Sequence, residues 1–201
     1  MKREIIAILR GIEPHEARAI ADTLISAGIT RIEVPLNSPD PLNSIAQMLD
    51  QAKGRAVIGA GTVLDAQDVA RLAAIGAQMV VSPDCNPEVI AASKSAGLLS
   101  YPGVLTPTEA FVALRAGADG LKLFPAFKVG LDGLSALKAV LPPDTKTYAV
   151  GGVGPDGFAD WRKAGITGFG IGTGIYKPGF TAGDVAARAA DIASAYDAAF
   201  G

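Results

Sequence analysis

The 201-residue sequence holds a single cysteine, Cys85, and a single histidine, His15. A lone cysteine excludes an internal disulfide and suits a reducing cytoplasm. One of each cannot build a Cys/His zinc site. No clustered acidic motif suggests a carboxylate-bound metal, and no cofactor is expected. Aromatics make up only 6% of the chain, so packing must come from aliphatic side chains and from plentiful Ala and Gly. An excess of one charge is lacking too. The net charge is −2 with both signs interspersed, which leaves no basic stripe for nucleic acid. No apolar run approaches the roughly 20 residues that a membrane helix needs. Met1 to Arg10 carries one strand-like apolar run and no small-residue cleavage site, so no signal peptide is expected there.

What the chain does have is alternation. Short apolar runs at Glu4–Leu9, Arg31–Pro35, Ala56–Ala60, Gln78–Val81, Leu98–Tyr101, Gly120–Phe124, Thr147–Val150 and Gly168–Ile171 have strand length. Helical patterns lie between them, such as Pro14–Ala27, Ala66–Ile75, Pro87–Ala96 and Pro107–Ala116. Gly28, Gly76, Gly97, Gly117 and Gly165 each follow a helix-like segment, where a left-handed cap is needed. Asp65 and Asp184 read as helix starts, and a last helix runs over Asp184–Phe200. Gly130 and Gly133 dilute the start of the sixth helix. Eight units of about 20 to 25 residues predict an α/β fold, a single (β/α)8 TIM barrel over 1–201. An open flavodoxin-like sheet, which normally uses fewer strands, is the second choice.

Both faces of every strand in a parallel barrel are covered, so a charge in mid-strand must be paired or functional. Lys122 sits in Gly-Leu-Lys-Leu-Phe-Pro, Glu33 in Arg-Ile-Glu-Val-Pro-Leu, and Arg10 ends the first strand. Alternation places Leu121 and Leu123 on one face and Lys122 on the other, and it separates Ile32 and Val34 from Glu33 in the same way. With the apolar set outward against helices, Lys122 and Glu33 point into the barrel near its C-terminal mouth. A lysine in an apolar site has a lowered pKa and a neutral amine that attacks carbonyls to form an imine. A nearby carboxylate then moves the protons. The alternative is a buried ion pair without chemistry.

Strand seven ends in Val150-Gly151-Gly152-Val153-Gly154, and strand eight in Gly170-Ile171-Gly172-Thr173-Gly174. Barrels that bind phosphorylated substrates often seat the phosphate on these two loops, where glycines let backbone N–H groups approach the anion. The plainer reading is tight turns. Thr62, after Gly59-Ala60-Gly61, offers either a ligand hydroxyl or a helix cap. Arg10 is suited to fork a carboxylate, unless it pairs with a structural acid. His15 is expected to be solvated, Cys85 unreactive and Trp161 a packing residue.

Taken in order, Ala7-Ile-Leu-Arg-Gly11, Ile32-Glu-Val-Pro-Leu-Asn-Ser38, Ile58-Gly-Ala-Gly-Thr-Val-Leu64, Leu121-Lys-Leu-Phe-Pro125 and Ala149-Val-Gly-Gly-Val153 resemble the class I aldolases acting on 2-keto-3-deoxy-6-phospho sugar acids. The resemblance covers nearly the whole chain and is closest to the galactonate branch. It implies Lys122 as Schiff-base lysine and Glu33 as general acid/base. It implies Thr62 and an arginine at the pyruvate carboxylate, and the glycine loops, with Thr173, at the phosphate. Where the gluconate branch usually carries an arginine four residues after the glutamate, this chain has Asn37, which leaves Arg10 or Asn37 for the carboxylate. Where that branch has threonine before the paired glycines, this chain has Val150. A long leading helix common in that branch is missing too. The implied reaction releases pyruvate and D-glyceraldehyde 3-phosphate from 2-dehydro-3-deoxy-6-phospho-D-galactonate. The gluconate epimer and a non-catalytic phosphosugar-binding barrel are the alternatives, and a cytoplasmic homotrimer is implied by resemblance alone.

Overall fold

The computed structural model describes residues 3–201. Met1 and Lys2, which open the segment expected not to be a signal peptide and also the expected 1–201 domain, lie outside the described residues. The chain runs β1 (Ile5–Ile8), α1 (Pro14–Ser26), β2 (Arg31–Pro35), α2 (Pro41–Ala52), β3 (Val57–Gly61), α3 (Ala66–Ala74), β4 (Met79–Val81), α4 (Pro87–Ser95), β5 (Leu99–Tyr101) and β6 (Gly103–Val104). It continues through α5 (Pro107–Arg115), β7 (Leu121–Leu123), α6 (Ala126–Lys138), β8 (Thr147–Val150), α7 (Phe158–Lys163), β9 (Gly168–Ile171) and α8 (Ala182–Phe200).

All strand pairs are parallel, in the order β5-β4-β3-β2-β1-β9-β8-β7-β6. The two ends of that order are neighbours in the chain, separated only by Pro102. The ring therefore closes, as a (β/α)8 barrel does and an open sheet does not. The fifth barrel strand is longer than the expected Leu98–Tyr101 and is written in two pieces. Its first piece pairs with β4 and its second with β7. Proline lacks the N–H of a full ladder residue, yet its carbonyl is used: Lys122 N donates to Pro102 O at 2.9 Å.

The expected helix punctuation holds. Gly28, Gly76, Gly97, Gly117 and Gly165 follow their helices with φ between 75° and 96°, a region in which side chains other than glycine's are strained. Asp65 caps α3 by accepting from Gln67 N at 2.7 Å. Asp184 does not start α8. The N-cap is Thr181, and Asp184 is the third helical residue of a reciprocal capping box. Gly130, at φ 65° and ψ 176°, breaks α6 where the glycines dilute it.

Two apolar layers result. Ala7, Leu9, Ile32, Val34, Leu121, Leu123, Ala149 and Phe169 belong to the large core between strands and helices. Ile6, Met79, Val81, Tyr101 and Tyr148 form a smaller core inside the barrel. Beneath it the N-terminal end is closed by charge: Arg31 pairs with Glu4, and the Tyr148 hydroxyl donates to Glu4 Oε2 at 2.7 Å. The upper half of the barrel is left for chemistry.

Candidate active site

Lys122 lies at the centre of β7 between Leu121 and Leu123, both fully buried in the outer core. Its side chain therefore takes the inner face, 7% exposed. Glu33 lies at the centre of β2 between the fully buried Ile32 and Val34, also inward and 2% exposed. Both reach one cavity of about 320 Å³ at the C-terminal mouth. Arg10, Thr62, Val150, Gly151, Gly152, Gly172, Thr173 and Gly174 line the same cavity, so every site residue expected from the sequence converges there. The other lining residues, Ile8, Pro83, Phe124, Val153, Gly170 and Ile171, carry no role expected from the sequence. Phe124 could have been found by alternation, two residues after Lys122; nothing local marks Pro83. A larger cavity of about 760 Å³ is an apolar groove along α5 and α6 with Lys128 as its one ionisable side chain, so it offers no proton-transfer partner.

Burial governs the electrostatics. It pushes the Glu33 carboxyl up to about 7, against the opposing pull of the Lys122 and Arg10 charges. It holds the Lys122 amine below the ordinary lysine range, with Arg10 adding to the depression and Glu33 and Asp84 opposing it. Among the described residues Lys122 makes no salt bridge. The two groups thus share a cavity without the direct ion pair that a purely structural role would use. Lys122 Nζ lies 4.6 Å from the centre of the Phe124 ring, whose face favours a cation. Glu33 Oε2 is buried and has no hydrogen-bond partner among the described residues.

Arg10 does not meet a structural acid. Its guanidinium donates to Asn37 Oδ1 at 2.5 Å and to Thr62 Oγ1 at 3.3 Å. Asn37 and Arg10, alternatives in the sequence, are hydrogen-bonded neighbours. Thr62 is not a helix cap, since Asp65 fills that role, and it holds a left-handed φ of 55° at the cavity wall.

The two glycine loops face each other across the rim. Gly151 and Gly152 have φ of 91° and 75°, which turns the chain sharply after β8. After β9, Ile175 N and Tyr176 N both bond to Gly172 O, at 2.9 and 3.0 Å, forming one helical turn. Such a turn leaves its first amides without partners. Among the described residues the N–H groups of Gly152, Val153, Thr173 and Gly174 have no protein acceptor.

His15, Cys85 and Trp161 lie outside this cavity. His15 is exposed beside Glu13. The Cys85 thiol donates to Glu109 O, and burial raises its pKa, which opposes reactivity. Trp161 packs in the outer core. No group of three or more His, Cys, Asp or Glu suited to a metal occurs among the described residues.

An inward lysine, a buried carboxyl and a rim of free amides on a closed parallel barrel make up an aldolase type of site. The profile of the KDPG and KHG aldolase family matches residues 1–188, and the chain belongs to that family. It is 50% identical over 201 residues to a probable 2-dehydro-3-deoxy-6-phosphogalactonate aldolase of Rhizobium meliloti (strain 1021), covering 100% of this chain and 95% of the relative. It is 45% identical over 195 residues to the 2-dehydro-3-deoxy-6-phosphogalactonate aldolase of Escherichia coli (strain K12), covering 97% and 95%. A solved structure described as native KDPGal superposes with a TM-score of 0.97 at 45% identity, covering 99% of this chain and 97% of that one.

Proposed function

We propose that the protein is a class I aldolase, an aldehyde-lyase. It cleaves 2-dehydro-3-deoxy-6-phospho-D-galactonate to pyruvate and D-glyceraldehyde 3-phosphate through a Schiff base at Lys122. The observation that carries the proposal is the pairing in one cavity of a depressed amine and a raised carboxyl, Lys122 and Glu33. Each is perturbed toward the form the chemistry needs near neutral pH.

The neutral Lys122 amine adds to the C2 ketone. Glu33, as the acid, gives a proton to the departing hydroxyl, and water leaves to give a cationic imine. The Phe124 face supports that cation. The Glu33 carboxylate then takes the proton of the C4 hydroxyl. The C3–C4 bond breaks, its electron pair flows toward the imine as an enamine, and the phosphorylated aldehyde departs. Glu33 returns its proton to C3, and water hydrolyses the imine to pyruvate and free Lys122. Arg10, oriented by Asn37, and Thr62 receive the substrate carboxylate. The amides of Gly152, Val153, Thr173 and Gly174, with Gly151 and Gly172 shaping the loops, receive the phosphate. Val150, buried on the inner wall, offers no hydrogen bond to the C4 hydroxyl.

The test is borohydride reduction with pyruvate followed by peptide mapping. The reduced adduct is expected on Lys122, and Lys122→Ala should lose both adduct and turnover. An adduct on another lysine refutes the assignment, and no adduct at all favours a non-catalytic binder.

The resemblance further supports one domain over 1–201, a cytoplasmic role in galactonate catabolism and a homotrimer. No described helix is long and apolar enough to cross a membrane. Leu105 and Val140 are exposed along the apolar groove between α5 and α6, a face that another copy would cover. A light-scattering mass three times that of the chain is expected.

A further inference from the structure

Gly61 ends β3, two residues beyond Gly59 on the inward face, and Gly59 pairs in register with Glu33. A methyl group at Gly61 would fall on the Glu33 carboxyl, whose two oxygens and carbon are the three atoms nearest to it. The backbone does not demand glycine there, since Gly61 is not among the residues with positive φ. Gly59 is a different case: a methyl there would strike the Met79 carbonyl, which is backbone and cannot swing aside. Glu33 Oε2 has no hydrogen-bond partner among the described residues to hold it. Its position is therefore set by the space available and not by a bond.

We propose that Gly61 is a positioning residue for Glu33, its missing side chain forming the seat in which the carboxylate is held toward the Lys122 cavity. The proposal rests on the reading of Glu33 as the proton carrier given above. Because the atoms in the way are the far end of a flexible side chain, Gly61→Ala keeps the barrel and displaces the carboxylate. A misplacement of about 1 Å at a reacting group costs on the order of 100-fold in rate.

Pyruvate alone separates the two partners. Borohydride trapping reports Lys122, and deuterium exchange at the pyruvate methyl, followed by NMR, reports the proton carrier. Gly61→Ala is expected to trap pyruvate on Lys122 to the same final extent on long incubation, more slowly because Glu33 also assists the loss of water, and to exchange roughly 100-fold more slowly. The pH profile of its exchange should move with the displaced carboxyl, which a merely structural glycine would not cause. In a Glu33→Gln background, Gly61→Ala should cost nothing further, because residues acting through one group are not additive. Exchange at the unsubstituted rate in Gly61→Ala, or losses that multiply in the double variant, overturns the proposal. If Gly61→Ala does not fold, the Gly61→Ala/Glu33→Ala double variant should, since the obstructing carboxyl is gone; failure there also overturns it. A failure of the underlying reading looks different: Glu33→Gln itself would exchange at the unsubstituted rate.

Discussion

Replacing Glu33 by glutamine should make the protein more stable, and only above acidic pH. Glutamine copies the shape of the protonated carboxyl and cannot ionise. The folded protein holds the Glu33 carboxyl at about 7 instead of the ordinary 4.5, mainly through burial. The folded state therefore binds that proton more tightly than the unfolded chain does. Below about pH 4.5 both states are protonated and nothing is lost. Between about 4.5 and 7 the unfolded chain ionises first, and stability drains away as pH rises. Above about 7 the loss is complete. A factor of ten in proton affinity is worth about 1.4 kcal/mol, so the full loss is about 3 kcal/mol. Urea unfolding of both proteins at pH 4 and pH 8 measures it, since titrating groups that do not interact with Glu33 cancel in the difference. Equal stabilities are expected at pH 4 and a lead of about 3 kcal/mol for Glu33→Gln at pH 8. A difference independent of pH would refute the burial argument. A lead for the unsubstituted protein at pH 8 would mean that attraction to Lys122 and Arg10 outweighs desolvation.

Three further outcomes are expected. Gly152→Val, at φ 75° against Phe127, should raise KM for the phosphorylated substrate roughly 10- to 100-fold over its effect on the unphosphorylated analogue, as loss of charge-assisted hydrogen bonds does; equal effects would point to a folding defect. Val150→Thr should shift the kcat/KM ratio toward the gluconate epimer by about two- to twelve-fold, and an unchanged ratio in paired assays would remove Val150 as the discriminator. Arg10→Met should weaken pyruvate trapping at subsaturating pyruvate by roughly 10-fold or more, the worth of a charge-assisted hydrogen bond, whereas unaltered concentration dependence would place the carboxylate elsewhere.

How much of this is legible in the sequence depends on how local each cause is. Alternation along five residues suffices to send Lys122 and Glu33 inward, because the flanking Leu121, Leu123, Ile32 and Val34 have only one place to go. The glycine loops after the last two inner strands are equally visible, since turn chemistry is written in adjacent residues. Thr181 and Asp184 show the limit of that method. Both are good helix-start residues three apart, and only the reciprocal bonds reveal which one caps. The division of the fifth strand at Pro102 escapes a local reading because it is produced by partners on both sides, β4 and β7. The same is true of Arg10 and Asn37, which sequence reasoning sets as alternatives 27 residues apart and the fold joins by a hydrogen bond. Gly61 sits in a stretch whose glycines look interchangeable, and only the carboxyl lying over one of them tells them apart.

The charged closure of the barrel's N-terminal end by Arg31, Glu4 and Tyr148 makes the cavity a dead end. Water displaced from around Lys122 and Glu33 has to leave through the opening by which the substrate enters, so the substrate acts as a stopper. On the proposed reaction, a full-length phosphorylated ligand would reach from the lysine at the bottom to the amides at the rim and close the passage behind it. Pyruvate by itself occupies only the bottom and leaves the channel above it wet.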